Sequence, residues 1–445
     1  MKIFNSYSNA LETFTPHHPK KVSIYVCGPT VYNYIHIGNA RPVVVFDTVR
    51  RYFEAEGYTV KFASNFTDVD DKIIQRAKDE GVSESVISEK YIQAFLNDLT
   101  ALNCKTDYIK PKVTEYMDKI IDYIQELVNI GYAYEIDGDV YFRVGKLAEY
   151  GRLSNRKIDD LISGARVEIN EKKESPLDFT LWKKTEEGLH WHTAFSDGRP
   201  GWHTECVAMI DDIFGEEIDI HGGGTDLMFP HHENEIAQSV AKNHHHVARY
   251  WMHNGRLNLD GEKMSKSLGN DIKVKDLQVD KLAFRMFLLS SHYRSPLNFS
   301  PDALDVFVKE WQKTQKSVEA LHRLLDLRNE LNDSIAIEAT DVLEAVKYYN
   351  DSMANDFNTP NALTAISQLM RAINQKMRQK PDFAWFNQAL VAVKRMLDIL
   401  GLEVKLTRLS EEDKGIIRKW EDARVAKDFA LADELRNILA NKGLL

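Results

Sequence analysis

The stretch KVSIYVCGP, residues 21–29, constrains the fold most. It is a β-branched and aromatic run closed by Gly28 and Pro29, so it reads as a strand with Cys27 at its C-terminal end. A glycine-bearing turn, HIGN at 36–39, then leads into an amphipathic stretch that closes near Gly57, and a second strand run, YTVKFASNFTD, follows at 58–68. Strand, glycine loop, helix, strand is a βαβ unit. It requires two parallel strands joined by a right-handed crossover, and it sets the HIGN turn at a helix N-terminus, where free N–H groups attract anions. Ligands of an open parallel sheet gather at the carboxyl ends of its strands, which is where Cys27 is expected.

Further along, helical patterns run from about residue 69 to 130, and YAYEIDGDVYFRV (132–144) reads as a hairpin turning at Asp137 and Gly138. The basic, loop-rich stretch to about Lys184 has no clear period and reads as an insertion. EEIDIHGGG (216–224) is another strand, ending in a glycine triplet. From about Pro301 the pattern is helical nearly to the end, with polar interruptions near Asn332 and Lys380, which marks a separate helical module.

Composition limits where partners come from. A chain of 445 residues, 43% hydrophobic and 28% charged, suits a globular protein of more than one domain. No apolar run approaches membrane-spanning length and residues 1–19 lack the apolar core of a signal peptide, so a cytoplasmic chain with no membrane partner is expected. The net charge of −10 does not announce a nucleic-acid binder, although local basic patches can hold an RNA backbone against an acidic average. Only Cys27, Cys104 and Cys206 occur, which argues against a disulfide framework and leaves thiols free for metal or catalysis.

The densest ligand chemistry is FPHHENE, residues 229–235. With a helix starting near Pro230, His231 and Glu235 share one face. Two ligands do not make a stable metal site, and such pairs are more often solvated, just as Cys27 or Cys206 taken alone reads as core. Joined, Cys27, Cys206, His231 and Glu235 offer two thiolates, an imidazole and a carboxylate, a donor set that suits zinc. Cys104 follows a helical pattern and reads as an ordinary semi-buried thiol. GEKMSKSLGN (261–270) places Lys263 and Lys266 with two serines on a glycine-flanked loop. Its bland reading is a solvated turn, and its sharper one a site that neutralises charge on a departing pyrophosphate.

The order of these clusters resembles the class I aminoacyl-tRNA synthetases. Within that class, Cys27, GWHTEC (201–206), HGGGTDLMFPHHENE (221–235) and KMSKSLGN (263–270) resemble the cysteinyl-tRNA synthetase family over nearly the whole chain. The resemblance implies an α/β fold: a Rossmann-type parallel-sheet catalytic domain at 1–116 and 185–255, an inserted connective subdomain at 117–184, the lysine loop and stem-contact region at 256–300, a tRNA-binding helical bundle at 301–402 and an anticodon-end segment at 403–445. It implies one zinc ion per chain on Cys27, Cys206, His231 and Glu235, magnesium carried with ATP, and L-cysteine, ATP and tRNA(Cys) as partners of a monomer.

By the same resemblance His36, Asn39, Lys263 and Lys266 are catalytic, acting on the ATP phosphates with Gly38 and nearby Thr30. His221, Gly222, Gly223, Gly224 and Asp226 form the adenosine-binding strand end, Thr67 and Trp202 wall the amino-acid pocket, and His232 and Glu233 support the metal from behind. Asn39 stands where the wider class has histidine, so an uncharged amide must supply that phosphate hydrogen bond. The implied reaction activates cysteine as its adenylate and transfers it to the tRNA 3′ end. The insertion is too small for an editing domain, so serine is rejected in the first step. A cysteine ligase acting on an amino-sugar shares the catalytic half but has no use for the helical module. A zinc hydrolase has little use for the phosphate turn and lysine loop, and a non-catalytic tRNA-binding relative is expected to lose the lysine loop or the zinc ligands.

Overall fold

The computed structural model describes residues 1–156, 172–259 and 271–444, with the backbone alone at 262–263. Lys266 and most of the lysine loop therefore lie outside the described residues, as does part of the insertion. The chain forms two compact units: Met1–Val308 with Asp351–Pro360 and Ile399–Gly401, and Lys309–Asn350 with Asn361–Asp398 and Leu402–Leu445.

The first unit is built on a parallel sheet. In chain order its elements include β1 (Lys21–Val26), α1 (Ile37–Ala55), β2 (Thr59–Ser64), α2 (Trp202–Phe214), β3 (Ile218–Gly224), α3 (Glu233–Asn243) and β4 (Ala248–Asn254). The strand order is β4-β3-β1-β2, all parallel. Successive connections leave β1 in opposite directions across the sheet, so a crevice opens between the carboxyl ends of β1 and β3, where such folds bind ligands. Tyr25, Ile218, Met209 and Trp251 lie in the buried core that supports these ends.

The expected βαβ unit is present, and its helix is capped from the signature turn itself. The His36 side chain accepts from the Asn39 N–H, and Asn39 Oδ1 accepts from the His36 N–H, both at 3.3 Å. The helical reading of 69–130 is correct only in pieces. Helices Asp71–Glu80, Glu84–Ala101 and Met117–Asn129 are separated by a connector that runs beside β2, bridging Ala63 to Ile109 and Phe66 to Lys112. Edge pairing overrides local propensity there.

The Asp-Gly hairpin forms between Ala133–Ile136 and Asp139–Phe142, with Asp137 and Gly138 at φ of 54° and 89°. It is two strands of a five-stranded antiparallel sheet that also takes Phe179–Lys184, Asp197–Pro200 and Trp191–His192. This sheet continues sixteen residues past Lys184 to Pro200. The charged stretch after Lys184 is a turn between its strands and not the end of the module.

Deep in the first unit Arg285 has no exposed surface. Its guanidinium donates to Asp47 Oδ2 at 2.5 Å, to the Leu400 carbonyl at 2.7 Å and to the Leu102 carbonyl at 2.9 Å. Gly401, at φ +65°, leaves the space that this planar group needs. Burial alone would raise the Asp47 carboxyl, but Arg285 and Arg51 outweigh it and hold it below the usual range.

The second unit is helical, drawing on Pro301–Leu327, Thr340–Met353, Thr359–Lys376, Phe383–Ile399, Glu411–Val425 and Phe429–Asn441. The break near Asn332 is pinned, since the Asn387 side chain accepts from the Asn332 N–H at 2.8 Å and donates to the Glu330 carbonyl at 2.7 Å. A further break at 400–410 was not legible as a polar interruption. No helix among the described residues is long and apolar enough to cross a membrane.

Candidate metal centre and nucleotide cleft

The carboxyl end of β1, the first turns of α2 and the start of α3 converge. They bring Cys27, Cys206, His231 and Glu235 together so that one ligand atom from each lies within 4.8 Å of all the others. Cys27 Sγ is 3.4 Å from His231 Nε2 and 3.6 Å from Glu235 Oε1, and His231 Nε2 is 2.9 Å from Glu235 Oε1. Helical backbone starts at Pro230, as expected, although its first turn is irregular. Phe229 is extended (φ −139°, ψ 130°), the following turn is wider than an α-turn, and regular helix begins at Glu233. His231 and Glu235 meet on one face because His232 and Glu233 between them already have α-helical backbone.

More donors are present than the sequence reading named. Cys27, His221, His232 and Glu235 form a second set meeting the same distance limit. His221, expected on the nucleotide side, instead points its Nε2 at Glu235 Oε2, 2.6 Å away. His232 lies 3.4 Å from Cys27 Sγ on one side and 2.8 Å from His253 on the other, and His253 reaches Ser6 Oγ at 2.9 Å. His253 carried no sequence signal beyond being a histidine on a strand.

The charges in this buried nest are mutually determined. Burial pulls the His231 imidazole down, but Glu235 and Cys206 outweigh it and raise it to about 10. A hydrogen bond from the Cys27 thiol, helped by His231, lowers Cys206 to about 6 against burial, whereas burial pushes Cys27 well up. Glu235 is held well below its usual range because His221 and His231 overcome burial. Cys206 and Glu235 are thus both drawn toward their anionic forms in a buried place, which suits a cation.

Beside this cluster, Trp202 stacks on His231 with ring centroids 4.4 Å apart and keeps 45% of its surface exposed, so it forms a wall open to a small molecule. Thr67 is buried and accepts from Asn65 Nδ2 while donating to Glu205 Oε2, both at 3.3 Å. Asn65 in turn accepts from the Gly28 N–H at 2.9 Å, and a Cβ at Gly28 would collide with the Asn65 carbonyl. Asn65 and Glu205 were missed, since neither has a motif spacing that marks it. Thr30 bridges to Thr67 and is not among the residues that line the neighbouring cavity. Glu233 does not face the metal cluster either. Its carboxylate accepts from the Ser154 N–H at 2.9 Å, the Ser154 hydroxyl at 2.7 Å and the Leu153 N–H at 3.3 Å, which ties the insertion to α3.

A cavity of about 330 Å³ opens alongside, with Cys27 in its wall. His36, Gly38 and Asn39 line one side and Gly223, Gly224 and Asp226 another. Gly222 lies behind, where Phe46 occupies the space a Cβ would need. Arg256, which the sequence reading did not single out, also lines it. Lys263 lies on a short strand, Glu262–Lys263, antiparallel to β5 (Leu257–Leu259). Further along the chain, the Ile37 N–H donates to the Ile272 carbonyl at 2.9 Å and the Val274 N–H to the Ile35 carbonyl at 3.2 Å. The segment that follows the lysines is therefore stitched to the HIGN turn.

Residues 13–309 match the family described as tRNA synthetases class I (C) catalytic domain, and residues 348–405 match the DALR domain. A cysteine–tRNA ligase of Lachnoclostridium phytofermentans is 47% identical over 457 residues, covering 100% of this chain and 97% of that protein. One from Geobacillus sp. is 46% identical over 450 residues, with the same coverage of 100% and 97%. Among solved structures, Mycobacterium tuberculosis methionyl-tRNA synthetase in complex with methionyl-adenylate superposes with a TM-score of 0.61 at 14% identity, covering 86% of this chain and 90% of that one. The Agrobacterium radiobacter leucyl-tRNA synthetase ternary complex gives 0.64 at 10% identity, covering 87% and 85%. These two likenesses concern the fold alone.

Proposed function

The chain belongs to the cysteinyl-tRNA synthetase family of class I aminoacyl-tRNA synthetases, and we propose that it selects its amino acid with a zinc ion held by Cys27, Cys206, His231 and Glu235. Its activity is the ATP-dependent ligation of L-cysteine to tRNA(Cys). The observation that carries the zinc reading is that Cys27 belongs both to the donor cluster and to the wall of the nucleotide cavity. An amino acid gripped by its thiol would then present its carboxylate toward the bound nucleotide.

The donors fit the ion: two sulfurs, an imidazole nitrogen and a carboxylate oxygen are within mutual reach, and Cys206 is already inclined to ionise. When bound, zinc supplies a soft Lewis acid that favours a thiol over a hydroxyl. Trp202 and Thr67 wall the amino-acid side. The substrate carboxylate attacks the α-phosphorus of ATP in line, forming the new P–O bond as the bond to pyrophosphate breaks. His36 and the side-chain NH2 of Asn39 hold phosphate oxygens at the start of α1, and Lys263 and Lys266 neutralise the departing pyrophosphate, with magnesium arriving on the ATP. A ribose hydroxyl of the tRNA then displaces AMP. No protein nucleophile is needed; positioning and charge stabilisation suffice.

The test is charging of unmodified tRNA(Cys) transcript with radiolabelled cysteine by the purified protein. Charging supports the reading. Cysteine transfer to an amino-sugar with no transfer to tRNA contradicts it.

A further inference from the structure

We propose that Arg256 is a further ATP-binding residue, its guanidinium facing the triphosphate; this rests on the ATP-dependent activity stated above. Among the described residues, Arg50, Lys105 and Arg256 are the Lys and Arg residues that line the cavity. Two of them are already committed to carboxylates. Arg50 pairs with Glu54 at 2.8 Å and Asp107 at 3.1 Å, and Lys105 pairs with Glu54 at 2.5 Å. Arg256 is exposed and has no carboxylate partner among the described residues. A polyanionic ligand entering this cleft would find its charge uncommitted.

The backbone beneath Arg256 is fixed, which is what a binding residue needs. Buried Arg41, five residues after His36, donates through Nη1 to the Gly255 carbonyl at 2.8 Å and the Arg256 carbonyl at 3.0 Å. The Leu297 N–H donates to the same Arg256 carbonyl at 2.9 Å, and the Gly255 N–H donates to the Tyr293 carbonyl at 2.7 Å. Gly255 has no room for a Cβ, because the Ser295 carbonyl lies against it. The helix that opens with the HIGN turn thus anchors the residue that presents a cation from the opposite strand edge. An arginine on a rigid backbone loses little freedom when it meets phosphate, and its fork geometry suits phosphate oxygens.

The experiment measures cysteine-dependent ATP–pyrophosphate exchange with the full-length wild type, Arg256→Gln and Arg256→Lys, together with zinc content. The KM for ATP should rise about tenfold in R256Q, as expected for loss of a charge-assisted hydrogen bond, with the KM for cysteine and zinc content unchanged. R256K, which keeps the charge, should recover most of the loss. An ATP KM in R256Q within about twofold of wild type overturns the proposal, as does an equal rise in the cysteine KM or failure of lysine to restore binding. Absence of exchange in the wild type would instead overturn the activity on which the proposal rests.

Discussion

His231 Nε2 lies 3.4 Å from Cys27 Sγ although 204 positions separate them in the chain. The donor cluster therefore assembles only once both halves of the parallel-sheet domain have folded, and the affinity of any metal it holds reports that fold. Purified protein should carry about one zinc per chain, because this thiolate and imidazole donor set favours that ion in a reducing compartment. Cys206→Ser should lose most of it while keeping its far-ultraviolet circular dichroism. Metal analysis showing full zinc in C206S would remove Cys206 from the ligand set.

The buried Arg285–Asp47 pair makes a stability prediction. Removing one partner strands the other charge in the core, so Asp47→Asn or Arg285→Met should cost about 3–5 kcal/mol. The sign with pH follows from the depressed Asp47 carboxyl. Its contribution is full above the unfolded value, near 3.9, and is lost as pH falls through the lower folded value. Urea midpoints of wild type and D47N should differ at pH 7 and converge in acid. Equal midpoints at pH 7 contradict this account.

Asp98 predicts the opposite dependence. Burial raises its carboxyl to about 6 despite Lys281 and Lys275, and its Oδ2 has no hydrogen-bond partner. Above about pH 6 the folded chain carries the cost of a buried ionised carboxylate. Below about pH 4 the group is neutral in folded and unfolded chains alike, and that cost vanishes. Asp98→Asn should therefore raise the melting temperature at pH 8 and have little effect near pH 4. A gain that is the same at both pH values would point to packing and not to charge.

Lys266→Ala should slow cysteine-dependent exchange at saturating substrates while leaving cysteine binding nearly unchanged, because the loop charge matters where phosphate charge shifts in the transition state. Weaker cysteine binding with normal saturated exchange would contradict that role.

The βαβ unit and the Asp137–Gly138 hairpin were legible because periodicity and turn residues are local in sequence, whereas the grouping of Cys27, Cys206, His231 and Glu235 came from motif resemblance. What was not legible depends on partners far away in the chain. Nothing near Phe229 in sequence signals that it stays extended or that the turn after it is wider than an α-turn. His221 looks like a strand-end nucleotide residue until Glu235 is seen 2.6 Å from it. Arg41 and Arg285 are both fully buried, held by distant carbonyls and, for Arg285, by Asp47, and nothing in their local sequence marks them.

The central claim is that the donor set around Cys27 chooses the amino acid by its sulfur. The most direct measurement compares kcat/KM for cysteine and serine in ATP–pyrophosphate exchange with the zinc-loaded wild type. A pocket reading shape alone separates such near-isosteres by about a hundredfold, whereas one reading a specific substrate group reaches about ten-thousandfold. The account predicts a preference for cysteine of about ten-thousandfold or more, collapsing in Glu235→Gln. Wild-type activation of serine within about a hundredfold of cysteine would contradict it.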